Sequence, residues 1–190
     1  MSVSKREMPT WLVWLDLETT GSNEDEDCIL ELGFLVTDVD LTVMSEHDYT
    51  AYTTHEEVEA WRATVDPVVR DMHERNGLWD AIEEPDAWPL ALLETEAISV
   101  FQSLGNRHDF ILCGSGVSHF DRRFLKEHLP RFERWFRYYS IDVGVLRRSL
   151  ELIGRTDALL AKQEKAHRAL DDARYHLEEM RHIKTVLGGA

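Results

Sequence analysis

Trp11-Leu-Val-Trp-Leu-Asp-Leu-Glu18 is apolar at both alternating positions as far as Leu15, the pattern of a central strand covered on each side. Its two acids, Asp16 and Glu18, lie two residues apart and leave the same face of the strand. In open α/β sheets the C-terminal edge of such a strand is where ligands bind. Thr19-Thr20-Gly21 follows, and a glycine there allows close approach of the backbone to a ligand. Two carboxylates about 4 Å apart repel by roughly 4 kcal/mol at an effective dielectric near 20. No local cation offsets this, because residues 7–61 hold fifteen Asp and Glu and no Lys or Arg. A partner from a distant segment, a raised pKa or a divalent cation must do so, and the pattern favours the cation.

Working outward, residues 28–37 predict a second strand and Thr42 to Tyr52 a third. Pro67 suits the first position of a helix that stops at Gly77. Residues 86–104 predict a longer helix, with Leu93, Ala97, Val100, Phe101 and Leu104 at helical spacing. Phe110 to Cys113 reads as a short buried strand leading into Gly114-Ser115-Gly116. A helix after Asp121 is ended or kinked by Pro130. Ser140 to Val143 predicts a fifth strand, followed by a helix around Leu146–Ile153. A last helix over about 168–187 aligns Leu170, Ala173, Leu177, Met180, Ile183 and Leu187. Three strands first, then strands alternating with helices, predict one mixed α/β sheet.

The chain has 190 residues, enough for one well-buried domain, expected over 10–187 behind a flexible tail at 1–9. No run of about 18 apolar residues predicts a membrane span, and Met1 to Pro9 lacks the apolar region of a signal peptide. A cytoplasmic protein is expected. The two cysteines, Cys28 and Cys113, sit in separate apolar stretches and read as buried thiols. A formal net charge of −15 opposes the basic stripe that long polyanions require, and fits a short oligonucleotide better. The run Glu24-Asp25-Glu26-Asp27 reads as solvated surface.

His167 and Asp172 form His-x-x-x-x-Asp, a weak pattern, since nine His and sixteen Asp in this length predict about 0.8 matches by chance. Five residues along an ideal helix of about 3.6 residues per turn rotate through about 140°. His167 is therefore expected on the loop before the helix and Asp172 in its early turns. The bland reading of Asp172, and of Asp171, is a first-turn acid favoured by the helix dipole. Asp121, at a helix start beside Arg122 and Arg123, has the same bland reading.

Taken in order, Leu15-Asp-Leu-Glu-Thr-Thr-Gly21, Asp121-Arg-Arg-Phe-Leu and His167-Arg-Ala-Leu-Asp-Asp172 resemble the three motifs of the DEDDh exonuclease superfamily. Within it the chain is most similar to the oligoribonucleases, through Ile111-Leu-Cys-Gly, Ile141-Asp-Val and the His167 motif, over about residues 11–185. The resemblance implies a ribonuclease H-like fold with a mixed five-stranded sheet flanked by helices. It implies two divalent ions, Mg²⁺ or Mn²⁺, on Asp16, Glu18, Asp121 and Asp172, with His167 as general base. It also implies that the Thr19-Thr20-Gly21 turn meets the 3′ nucleotide and that His73 faces the substrate. Across a loop one residue longer, Ser115 matches a serine near the 5′-phosphate. Tyr138 matches an aromatic given across a homodimer interface; the alternative is an ordinary core or interface aromatic.

Three positions depart from the family pattern: Ser22 replaces an apolar residue, Tyr139 an arginine and Gly144 a serine. In the family the last two help cap the 5′-phosphate of a dinucleotide, so the expected dinucleotide preference is loosened. The expected activity is 3′→5′ removal of nucleotides from short single-stranded RNA. The alternatives are a proofreading or repair exonuclease on single-stranded DNA and, in another class, an inactive nucleic-acid-binding module.

Overall fold

The computed structural model describes residues 11–161 and 166–188; the tail expected over 1–9 lies outside the described residues. β1 (Trp11–Thr19) occupies the middle of a five-stranded sheet. It pairs antiparallel with β2 (Ile29–Thr37), whose outer neighbour is the antiparallel β3 (Val43–Thr50). On its other side β1 pairs parallel with β4 (Phe110–Gly114), which pairs parallel with the edge strand β5 (Phe136–Asp142). The mixed α/β sheet read from the element order is thus present, with order β3-β2-β1-β4-β5.

Alternation along β1 sends its residues into two different cores. Val13, Leu15 and Leu17 join Leu32, Phe34, Val36, Phe110 and Leu112 against α4 (Leu90–Leu104). That side is rich in aromatics: Phe101 stacks on Phe110 at 4.1 Å between centroids and meets Phe136 edge-on at 5.4 Å. Leu12 and Trp14 face the other way with Leu35, Ile111 and Cys113, where α8 (Ala169–Gly188) covers them with Ala173 and Leu177. The Trp14 indole is wholly buried and donates to Thr37 Oγ1 at 3.1 Å, so its one polar atom is satisfied.

Several boundaries differ from the sequence reading. α1 (His55–Thr64) was not foreseen, because Val58 is its one fully buried residue and no apolar stripe marks it. Its start is nonetheless signed by a capping box between Thr54 and Glu57. α2 (Pro67–Arg75) begins where expected, with Asp66 accepting from the Val68 amide at 2.8 Å, and is followed by the one-turn α3 (Leu78–Ala81). α4 begins at Leu90 and not at residue 86, since Trp88 is extended and bonded to Thr50 and Tyr52. Pro130 separates α5 (Asp121–His128) from the one-turn α6 (Pro130–Glu133). β5 starts four residues earlier than read from sequence; as an edge strand it leaves Tyr138 exposed and lacks the apolar run of a buried one. α7 (Val143–Leu152) follows β5 directly and is tied to α8 by a bidentate Arg147–Glu179 ion pair at 2.8 and 2.6 Å. Cys113 is wholly buried as expected, whereas Cys28 is half-buried.

Candidate active site

Parallel pairing between β1 and β4 ends at Trp14↔Cys113, while β1 continues to Thr19. Beyond that point the chain leaves β4 toward β5 and β1 toward β2, which opens a crevice of the kind that binds ligands in such sheets. A cleft of about 830 Å³ lies there. β1 supplies Asp16 and Glu18, the next turn Thr19, Thr20 and Gly21, the segment after β4 Ser115 and Asp121, and the start of α8 His167 and Asp172. Val68, Val69 and Met72 of α2 form an apolar wall. Glu18, Asp121 and Asp172 are all more than nine-tenths buried. None of the described residues that line the cleft is lysine or arginine.

Each side chain has a local reason for its position. Where the β1–β4 ladder stops, Asp121 Oδ1 accepts the Leu17 amide at 3.0 Å and so joins α5 to β1. Its neighbours in sequence are engaged elsewhere: Arg122 with Glu133 at 2.9 Å and the carbonyl of Tyr138, Arg123 with Glu24 at 3.3 Å. Asp121 does lie in the first turn of α5, as its bland reading has it, and its bond to the Leu17 amide also ties it to β1 at the cleft. His167 lies on the loop before α8 with φ of 52°, and Asp172 in the first turns of the helix, as the 140° argument requires.

Two histidines lie beneath the acids. His73 is fully buried, and its Nε2–H donates to the Thr19 carbonyl at 3.0 Å. Burial holds its pKa below the ordinary range against the opposing pull of that bond, so the ring is neutral. Its Nδ1 lies 4.0 Å from Glu18 Oε2, a contact of a neutral ring and not an ion pair. His73, expected to face substrate, is fully buried and is not among the described residues that line the cleft. His176, not singled out in the sequence, lies 3.9 Å from Asp16 Oδ1 and is also fully buried. Its signal was available: it follows Asp172 by four residues and so shares that face of α8.

The turn after β1 is held by its own residues. Thr20 Oγ1 donates to Asp27 Oδ1 at 3.0 Å and accepts from the Cys28 amide at 2.9 Å, while Asp27 Oδ2 accepts from the Asn23 amide. A Cβ on Gly21 would stand 2.3 Å from Asp27 Oδ2, so the need for glycine arises from Asp27. Asp27 thereby departs from the solvated surface expected of the acidic run. Ser115 lines the cleft, and a Cβ at Gly144 would lie 2.6 Å from its hydroxyl: Ser115 takes the space that a side chain at 144 would need. Tyr138 is 89% exposed on β5 and outside the cleft of its own chain.

The donor set fits a divalent cation. Glu18, His167 and Asp172 each offer one ligand atom within 4.8 Å of one another, and Asp16 and Asp121 line the same cleft. Oxygen-rich sites of this kind suit hard cations.

The exonuclease family model RNase_T matches residues 13–180. The oligoribonuclease of Pseudomonas paraeruginosa is 33% identical over 179 residues, covering 93% of this chain and 95% of its own. That of Xanthomonas axonopodis pv. citri is 30% identical over 181 residues, covering 93% and 89%. Among solved structures, E. coli exonuclease I in complex with a 5cy-dT13 oligonucleotide superposes with a TM-score of 0.69 at 14% identity, over 93% of this chain. The same enzyme with dA16 gives 0.70 at 13% identity. This chain spans about two-fifths of exonuclease I, and at such identity the match shows a shared fold alone, ribonuclease H-like.

Proposed function

The chain belongs to the RNase_T exonuclease family, and on that premise we propose that it is a 3′-to-5′ exoribonuclease degrading short single-stranded oligoribonucleotides to mononucleotides. The observation that carries this reading is convergence: five chemistry-bearing residues from three distant segments meet in one cleft. The reading takes residues 10–187 as one exonuclease domain, supported by the extent of the family match.

Asp16, Glu18, Asp121 and Asp172 would hold two divalent ions, Mg²⁺ or Mn²⁺, which would neutralise the scissile phosphate and lower the pKa of the attacking water. His167 accepts the proton of that water as its oxygen forms the new bond to phosphorus. The bond from phosphorus to the upstream 3′ oxygen breaks, that oxygen takes up a proton, and a 5′-mononucleotide leaves. The cleft is strongly acidic, and none of the described residues that line it is an arginine or lysine. Thr19, Thr20 and Gly21 meet the terminal nucleotide, and the apolar wall of α2 receives its base. Ser115 lies near the 5′-phosphate, and His73 acts through the Thr19 carbonyl that it holds. Tyr138, exposed and outside its own cleft, serves the partner protomer in a homodimer. No helix among the described residues is long and apolar enough to cross a membrane, and the proposed location is the cytoplasm.

Incubation with 5′-labelled RNA dinucleotides, RNA seven-mers and single-stranded DNA, in Mn²⁺ and in EDTA, tests the proposal. Metal-dependent release of 5′-mononucleotides from the 3′ ends of the RNAs is expected. No turnover of any substrate would overturn the enzyme reading, and equal rates on long DNA and on dinucleotides would overturn the oligoribonuclease assignment alone.

A further inference from the structure

β2 carries Glu31 in the middle of an apolar run, with no exposure at all. A fully buried carboxylate is rare unless paired and hydrogen-bonded. Glu31 is both. Oε1 accepts from Arg168 Nε at 2.8 Å and from Arg168 Nη2, and Oε2 accepts from the Ala169 amide at 2.7 Å. One side chain thus grips the two residues that follow His167, from a strand 137 residues away in sequence.

The surroundings are built for that grip. Glu31 lies opposite Glu18 in the β1–β2 ladder, and Gly33 lies opposite Asp16. A Cβ on Gly33 would stand 2.1 Å from the Leu170 amide nitrogen, so only glycine lets the first turn of α8 rest on the sheet at this level. On the far side of the loop, Asn76 Nδ2 donates to the His167 carbonyl. Between these holds His167 adopts φ of 52°, a left-handed conformation that is unfavourable for a non-glycine residue and persists only where its surroundings impose it. Mere helix capping would need neither the guanidinium nor the bond to the His167 carbonyl.

We infer that Glu31 is a positioning residue, which clasps Arg168 and the Ala169 amide and so sets the reach of His167 into the cleft. This rests on the reading of His167 as general base given above. The amide of Glu31→Gln keeps an acceptor for the Ala169 amide, and with it the start of α8, but gives up the ion pair to Arg168. His167 is then freed to drift while Asp172 stays on a helix packed by Ala173 and Leu177.

The test compares wild type, Glu31→Gln, Arg168→Gln, His167→Ala and the double variant Glu31→Gln/His167→Ala on an RNA dinucleotide in Mn²⁺. Both clasp variants should lose about 10- to 100-fold in kcat, the scale of misplacing a reacting group by about 1 Å, with KM changed less than about threefold. The rise in Tm on adding Mn²⁺ should persist in both. In the His167→Ala background, Glu31→Gln should cost no further kcat, since both changes act through one group. Arg168 is partly exposed, so its variant reports on the clasp even if Glu31→Gln folds poorly. A kcat within twofold of wild type in Arg168→Gln, an additive loss in the double variant, or loss of the Mn²⁺ shift along with kcat would each overturn the clasp. Failure of wild type itself to turn over RNA would overturn the activity it rests on, which is a separate outcome.

Discussion

The two faces of β1 have different histories along one strand. Toward α4, Val13, Leu15 and Leu17 stay apolar to the end and disappear into an aromatic-rich core. Toward α8, Leu12 and Trp14 are apolar, and then Asp16 and Glu18 take their places in the same row. Two residues, about 7 Å of strand, separate the packing half of that row from its chemical half. The α4 face can be uniform because a helix lies along it. The α8 face changes character where the helix begins, since α8 starts at Ala169 over Gly33 and leaves the end of β1 open to the cleft. The boundary between stability and chemistry is thus drawn by where one helix starts.

The sharpest way to break this comparison is to exchange the effects of the two faces. Asp16→Ala should lower turnover per folded molecule by about 10³- to 10⁴-fold, because a lost metal ligand removes several kcal/mol of transition-state stabilisation at roughly tenfold per 1.4 kcal/mol. It should also abolish the rise in Tm on adding Mn²⁺, which calorimetry would show. His167→Ala should cost about 10²- to 10⁴-fold in kcat, the usual contribution of a positioned base, with the Mn²⁺ shift retained. On the other face, Leu15→Ala should destabilise by about 2–5 kcal/mol in urea unfolding while leaving kcat per folded molecule within twofold. A large kcat loss from Leu15→Ala, or a large stability loss from Asp16→Ala, would erase the distinction.

The smallest expected effect concerns His73. Its pKa in the folded protein is lowered by burial, so between that value and the unfolded value near 6.5 the unfolded chain binds more protons. The contribution of His73 to stability is therefore full above about pH 6.5 and is lost as pH falls through the folded pKa. In EDTA, Tm should drop between pH 7 and pH 5.5, and His73→Gln should flatten that drop. An unchanged slope in the variant would place the titration elsewhere.

What could be read in the sequence follows from what each segment buries. β1, β2 and β4 are covered on both faces and announce themselves as apolar runs, and the alternation that pairs Asp16 with Glu18 needs no structure to see. α1 stayed hidden because it lies on the surface, although Thr54 and Glu57 carried its cap signal. β5 was read too short because an edge strand can expose tyrosines and arginines. The carboxylates of the cleft were legible through their order along the chain. Glu31 was not, since its partner is 137 residues away and only the folded sheet brings them together; the spacing of His176 from Asp172 marked a shared helix face but not its approach to Asp16, 160 residues away. A charged residue inside Ile29-Leu-Glu-Leu-Gly-Phe-Leu35 was the one clue available for Glu31.

The placement of α8 has a consequence in time. The strands that build the cleft floor emerge early during synthesis, whereas His167 and Asp172 arrive with the last helix of the described chain. Until that helix docks, Trp14, Leu12 and Leu35 lack the cover of Ala173 and Leu177. Docking closes that apolar face and completes the carboxylate set in one event. In the proposed mechanism, hydrolytic competence therefore arrives together with the finished fold.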